Sequence, residues 1–161
     1  MSAPIRVVFV CLGNICRSPL AEGAFREHVR NAQLNEHFAI DSAGTSGFHA
    51  GESPDRRSIE VASRHGVNIG GQRSRVFVSK DLDRFDYVIA MDRSNQGNIE
   101  RLVSEHPRAQ ISLMLDEVSG DPTDVPDPYY GGAGGFENVW QLVNRSTKAL
   151  LVRILDERGP L

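Results

Sequence analysis

Cysteine is scarce in this chain of 161 residues: Cys11 and Cys16, and none after them. Two thiols five positions apart exclude the multi-bridge framework of a small secreted domain. With no downstream His-x3-5-His pair they also fall short of a zinc site. Lysine is rare too, 2 residues against 16 arginines, which reads as compositional bias. The net charge is −3, so bulk electrostatics favour neither nucleic acid nor an anionic membrane as partner. No segment approaches the roughly 18 apolar residues of a membrane span. The opening MSAPIRVVFVCLG lacks the length and cleavage pattern of a signal peptide. Together these absences point to the reducing cytoplasm. The length and a 40% apolar composition fit one domain over 1–161 with one sizeable core.

What is present is concentrated at residues 7–19, VVFVCLGNICRSP. A β-branched run over Ile5–Val10, with little alternation, predicts a parallel strand buried on both faces. It leads directly into Cys11. Ser18 and Pro19 then read as the N-cap and first residue of a helix reaching about Ala32. The loop between them carries a thiol at its start, Gly13 inside it and Arg17 at its end. Leu12, Gly13, Asn14, Ile15 and Cys16 can turn their N–H groups inward as an anion nest at a helix N-terminus. Gly13 supplies backbone freedom, and Arg17 offers a planar fork for two phosphate oxygens. The same positive field favours a thiolate at Cys11. A thiolate beside a bound phosphate implies in-line attack on phosphorus and a cysteinyl-phosphate intermediate, with neither metal nor cofactor.

Further strands are expected at Phe38–Asp41, Tyr87–Met91 and Ile111–Leu115. Helices are expected over Asp55–His65, from Asp92 to about Glu105, and from Phe136 to about Asp156, the last with Val139, Leu142, Val143, Leu150 and Ile154 on one stripe. Strands alternating with helices predict a doubly wound α/β domain, whose ligands bind at the carboxyl ends of the strands. Cys11, Ser42 and Asp92 each follow a strand. The stretch GDPTDVPDPYYGGAGG, 120–135, is too rich in Pro, Gly and Asp for regular structure. It offers Asp121, Asp124 and Asp127 as proton donors to a leaving group, and the chemistry alone does not choose among them. Tyr129 and Tyr130, close to Asp127, can wall a slot for an aromatic ring.

VCLGNICRSPLAEG, DSAGT at 41–45, Pro54-Asp55, AMDRSN at 90–95 and DPYYGG at 127–132 resemble the low-molecular-weight protein tyrosine phosphatases over nearly the whole chain. The resemblance implies a four-stranded parallel sheet with helices on both faces, and hydrolysis of phosphotyrosine in proteins, with inorganic phosphate as product and inhibitor. It makes Cys11 the nucleophile, Arg17 the phosphate clamp and Asp127 the general acid, then base. It has Ser18 hydrogen-bond the thiolate, Asn14 hold the loop's shape and Ser42 support Asn14. It also implies a reversible Cys11–Cys16 disulfide under oxidation. Gln72 stands where the family often has a histidine close to the loop asparagine, so it supports the loop without titrating. Phe48 and His49 occupy the region where a tryptophan often lines the cleft. Phe48 suits stacking on a substrate ring or anchoring its own loop, and His49 reads as a solvated loop histidine rather than a base. The related arsenate reductases need two more cysteines downstream, which this chain lacks. Protein-arginine phosphatases resemble this loop with threonine at the position of Ile15, whose side chain gives a guanidinium no polar partner.

Overall fold

A computed structural model describes residues 3–118, 123–131 and 133–161. Strand β1 (Ile5–Cys11) is buried at every position except Arg6. Its two faces feed two separate cores. Ile5, Val7, Phe9 and Cys11 pack with Leu20, Phe25, Val61, Val139 and Ile154 on one side. Val8 and Val10 pack with Phe77, Leu82, Phe85 and Ile99 on the other. A strand apolar on both faces can only sit inside a sheet covered by helices on both sides, because each fully buried Val or Phe contributes about 1.5–3 kcal/mol that exposure would forfeit.

The sheet has four parallel strands in the order β2-β1-β3-β4, where β2 is Phe38–Gly44, β3 Tyr87–Ala90 and β4 Gln110–Leu113. Helices α1 (Arg17–Asn31), α2 (Arg56–Arg64) and α5 (Ala133–Arg158) contribute to the first core, and α3 (Asp81–Arg84) and α4 (Arg93–Glu100) to the second. This is the doubly wound α/β fold expected. Chain order reverses direction across β1 and β3, so the segments leaving their carboxyl ends diverge and open a crevice there. Among the described residues no helix is long and apolar enough to cross a membrane.

Several boundaries differ from the sequence reading, for physical reasons. Strand β2 runs on to Gly44 because Ser42, Ala43 and Gly44 pair with Phe9, Val10 and Cys11, and tertiary pairing overrides their loop-like composition. Helix α4 stops at Glu100. Beyond it Leu102 and Val103 face solvent, so no apolar face remains to hold another turn. Helix α1 begins at Arg17 with Cys16 as N-cap and no side-chain cap. Ser18 is therefore inside the first turn, and its hydroxyl is free for another partner. Short α3 carries no periodic signal of its own and was not anticipated.

Candidate active site

The loop from Cys11 to Arg17 is held from outside by its carbonyls. Cys11 O accepts from Thr45 N, Leu12 O from Ser46 N and Ile15 O from Asp55 N, at 2.8–2.9 Å. Gly13 O accepts from Ser74 Oγ and Cys16 O from Ser58 Oγ. With the carbonyls tied outward, the N–H side of the loop is left to face the cleft, the arrangement an anion nest requires. The left-handed residue is Asn14, at φ +56°, rather than Gly13. Asparagine tolerates that region better than most residues, and its side chain is locked here. Asn14 Oδ1 accepts from Arg75 N at 3.0 Å, while Nδ2 donates to Ser18 Oγ at 2.8 Å and Ser42 Oγ at 3.0 Å. Ser42 in turn donates to Glu22 Oε1 at 2.7 Å.

Ser18 accepts from Asn14, so its own proton can go to the Cys11 sulfur 3.1 Å away. Asn14 N–H also donates to that sulfur, at 3.3 Å. The two contacts converge on the sulfur from the loop and from the first turn of α1. The close approach of the loop to β2 depends on Gly44. A Cβ there would lie 2.8 Å from Leu12 O and 3.1 Å from Asn14 N.

Arg17 is buried, and its Nη1 donates to Asp92 Oδ2 at 2.6 Å and Val125 O at 3.0 Å. Its Nη2 lies 3.5 Å from Asp127 Oδ2. Burial opposes the charge of Arg17, but the Cys11 sulfur, Asp92 and Asp127 together hold it above its ordinary basicity. Asp92 N-caps α4 with its other oxygen, accepting from Asn95 N at 2.7 Å, so the guanidinium is oriented by a carboxylate that is itself fixed. From sequence, Asp92 follows a strand, opens a helix and falls in the AMDRSN stretch, with no role in the chemistry assigned to it. An acidic N-cap at the end of the strand beside β1, across the crevice, was the signal available for more.

The three candidate proton donors separate. Asp124 pairs with Arg93 across α4, and that side-chain hydrogen bond holds its carboxyl below the usual range, which suits a carboxylate rather than an acid. Asp121 lies outside the described residues. Asp127 stands at the cleft with its side chain 44% exposed, its Oδ1 accepting from Tyr129 N at 3.1 Å.

The cleft has a volume of about 340 Å³ and a floor of Cys11, Leu12, Gly13, Ile15, Cys16 and Arg17. Phe48, His49, Tyr129 and Tyr130 also line it. Phe48 and Tyr130, 85% and 95% exposed, stand at the mouth, so Phe48 does not anchor its loop in the core. His49 is a partly exposed loop residue. Its side chain is 21% exposed, bonded through Nδ1 to Glu52 Oε2 at 3.0 Å and set edge-on to Phe48. Gln72 donates to Pro19 O at 3.1 Å, at the exit of the loop, rather than to Asn14. Cys16 is a buried free thiol, and burial, then Asp55, push it up to about 12. It is therefore a thiol at neutral pH.

Residues 6–159 match the low molecular weight phosphotyrosine protein phosphatases. YfkJ of Bacillus subtilis, a low molecular weight protein-tyrosine-phosphatase, is 42% identical over 155 residues, covering 96% of this chain and 98% of its own. The crystal structure of YfkJ superposes with a TM-score of 0.91 at 41% identity, over 98% of this chain and 99% of that one. DARP, an arginine phosphatase of Drosophila, has a crystal structure similar to this one at a TM-score of 0.88 and 29% identity, over 93% of this chain and 98% of that one. Fold, cleft and sequence thus agree that the chain is an enzyme and belongs to the low molecular weight protein tyrosine phosphatase family.

Proposed function

We propose that the protein, acting over 1–161 as one phosphatase domain, hydrolyses phosphotyrosine in cytoplasmic proteins through a phosphate covalently held on Cys11. The observation that carries this reading is the convergence on one small cleft of the Cys11 sulfur, with hydrogen-bond donors at 3.1 and 3.3 Å, and Arg17, with Asp127 3.5 Å from the guanidinium. In the first step the thiolate attacks phosphorus in line. The phosphorus–oxygen bond to the aryl group breaks, its electron pair stays on oxygen, and Asp127 delivers a proton there. The loop N–H groups and Arg17 neutralise the equatorial oxygens. In the second step Asp127, now a carboxylate, takes a proton from water. The water oxygen attacks phosphorus and the bonding pair returns to sulfur. Inorganic phosphate leaves, and because it fits the same cradle it inhibits competitively. The nucleophile and charge clamp both come from the chain, so the cycle calls for no cation.

The test of this reading is a turnover assay on phosphotyrosine, phosphoserine and phosphoarginine peptides, with Cys11→Ser as control. Phosphotyrosine should be strongly preferred. Activity confined to phosphoserine, or complete loss with EDTA, contradicts it.

Ile15 bears on the arginine alternative, since it lines the cleft floor with an apolar side chain. Ile15→Thr should raise activity on phosphoarginine relative to phosphotyrosine, by giving a guanidinium a partner and more room. An unchanged ratio of kcat/KM values places the selectivity elsewhere, Phe48 being the next residue to test.

Oxidation provides a further expected outcome. Peroxide takes the Cys11 thiolate to a sulfenic acid, and attack by Cys16 sulfur expels the hydroxyl as water and closes a disulfide. A thiol reductant should then restore the wild type, whereas Cys16→Ser should recover poorly. Cys16 reacts as thiolate, and burial pushes its thiol up, so closure should accelerate as pH rises through the alkaline range. Equal recovery in both proteins, with no disulfide by mass, leaves Cys16 as a packing residue.

A further inference from the structure

We infer that Arg57 is a positioning residue, a strut that sets Asp127 relative to the phosphate-binding loop. The inference rests on Asp127 being the proton donor. Arg57 lies in the first turn of α2, two residues after its N-cap Asp55. Its Nε and Nη2 form a fork on Asp55, at 3.0 and 2.9 Å. Asp55 N–H in turn donates to Ile15 O of the loop at 2.8 Å. On its other side the guanidinium lies over two rings: Phe136, 4.6 Å from the centroid and buried in the core, and Tyr129, at 5.5 Å. Both distances are within reach of a cation–π contact.

Tyr129 connects this arrangement to the chemistry. Its backbone N–H donates to Asp127 Oδ1 at 3.1 Å, so wherever Tyr129 sits, the carboxyl follows. The chain of contacts runs Ile15–Asp55–Arg57–Tyr129–Asp127 and joins the loop that holds the phosphate to the segment that protonates the leaving oxygen. Among the described residues, the other polar contact between Asp127 and the loop is the 3.5 Å one with Arg17, whose charge a bound phosphate would engage. Arg57 is not a second anion site, because its fork is already occupied by Asp55. A planar guanidinium serves both the bidentate pair and the two rings, and an ammonium serves neither as well.

Proton transfer is sensitive to placement, while phosphate binding by the loop is not routed through Arg57. Arg57→Met should therefore lower kcat/KM on a phosphotyrosine peptide about tenfold or more. On an aryl phosphate with a strongly acidic leaving group, kcat/KM should change less than about twofold, because that oxygen leaves without a proton and kcat/KM does not include the later hydrolysis of the intermediate. The inhibition constant for inorganic phosphate should likewise stay within about twofold, as expected when only the acid has moved. Arg57→Lys should fall between, and it carries the same comparison if Arg57→Met does not fold, with thermal midpoints measured for both. In an Asp127→Ala background Arg57→Met should cost nothing further. Equal losses on the two substrates, a weakened phosphate constant, or full additivity with Asp127→Ala would overturn the strut while leaving the acid assignment standing. An Asp127→Ala protein with no dependence on the leaving group would remove the acid assignment and the strut together.

Discussion

Cys11→Ser should abolish turnover, and Arg17→Ala should reduce it by about 10³-fold or more. Serine at position 11 keeps the fold of the loop, because the side chain is nearly isosteric and the carbonyls of the loop are bonded from outside. It removes the sulfur on which Ser18 Oγ and Asn14 N–H converge. A hydroxyl under the same donors remains protonated and is a poor nucleophile. Arg17 acts on the other partner of the reaction. It sits buried with its orientation fixed by Asp92 and Val125 O, so its field at the cleft costs no rearrangement as charge builds on the phosphoryl oxygens. Its removal also leaves Asp92 without its cation, and breaking a buried pair from one side costs about 3–5 kcal/mol of stability. Arg17→Lys separates the two effects. A lysine keeps a charge beside Asp92 but has no fork, so it should restore stability more than turnover. Near wild-type activity in Arg17→Lys would mean that charge alone, rather than bidentate geometry, is what the site requires.

Asp127→Ala should lower kcat/KM on phosphotyrosine by about 10²–10⁴-fold and should do far less to kcat/KM on an aryl phosphate whose leaving group is a strong acid. The structure favours Asp127 over Asp124 on two grounds. Asp127 lines the cleft beside Arg17, whereas Asp124 is turned to Arg93 on α4 and held as a carboxylate there. Asp124→Ala should consequently leave the ratio of activities on the two substrates unchanged. The measurement is kcat/KM across a series of aryl phosphates of graded leaving-group acidity. A steep dependence appearing in Asp124→Ala and not in Asp127→Ala would reverse the assignment.

The sequence was most informative where local chemistry and chain order coincide. Val7–Val10 running into Cys11, with Arg17 six positions on, places a strand end, a loop and a helix start in a row, and no distant contact is needed to see it. The doubly wound fold follows from the alternation of apolar runs and amphipathic stretches. What sequence hid were residues whose role depends on pairing across the sheet. Ser42 and Gly44 look like loop residues until β2 is laid against β1, where one meets Asn14 and the other lets the loop pass. Asp92 gains its meaning only because β3 neighbours β1, which puts its carboxylate on Arg17. Arg57 looks like one arginine among 16 until α2 is folded under the loop. Ser18 reads as an N-cap because serine before proline at a helix start is common, but the helix starts two residues earlier, with Cys16 as N-cap, and frees the hydroxyl for sulfur. The left-handed turn fell on Asn14 rather than Gly13 because the asparagine amide has three fixed partners that hold it there.

The central claim is that phosphate passes through sulfur. Rapid acid quenching of Asp127→Ala protein during turnover of a phosphotyrosine peptide, followed by mass analysis of the proteolytic fragments, tests it most directly. Loss of the acid slows formation of the intermediate, and loss of the base slows its hydrolysis, so an activated aryl phosphate should be run in parallel to load the site. The predicted result is a phosphate on the fragment containing Cys11, absent from Cys11→Ser protein and discharged on prolonged incubation. Turnover with no covalent phosphate on that fragment at any quench time, or phosphate on another residue in Cys11→Ser protein that remains active, would contradict it.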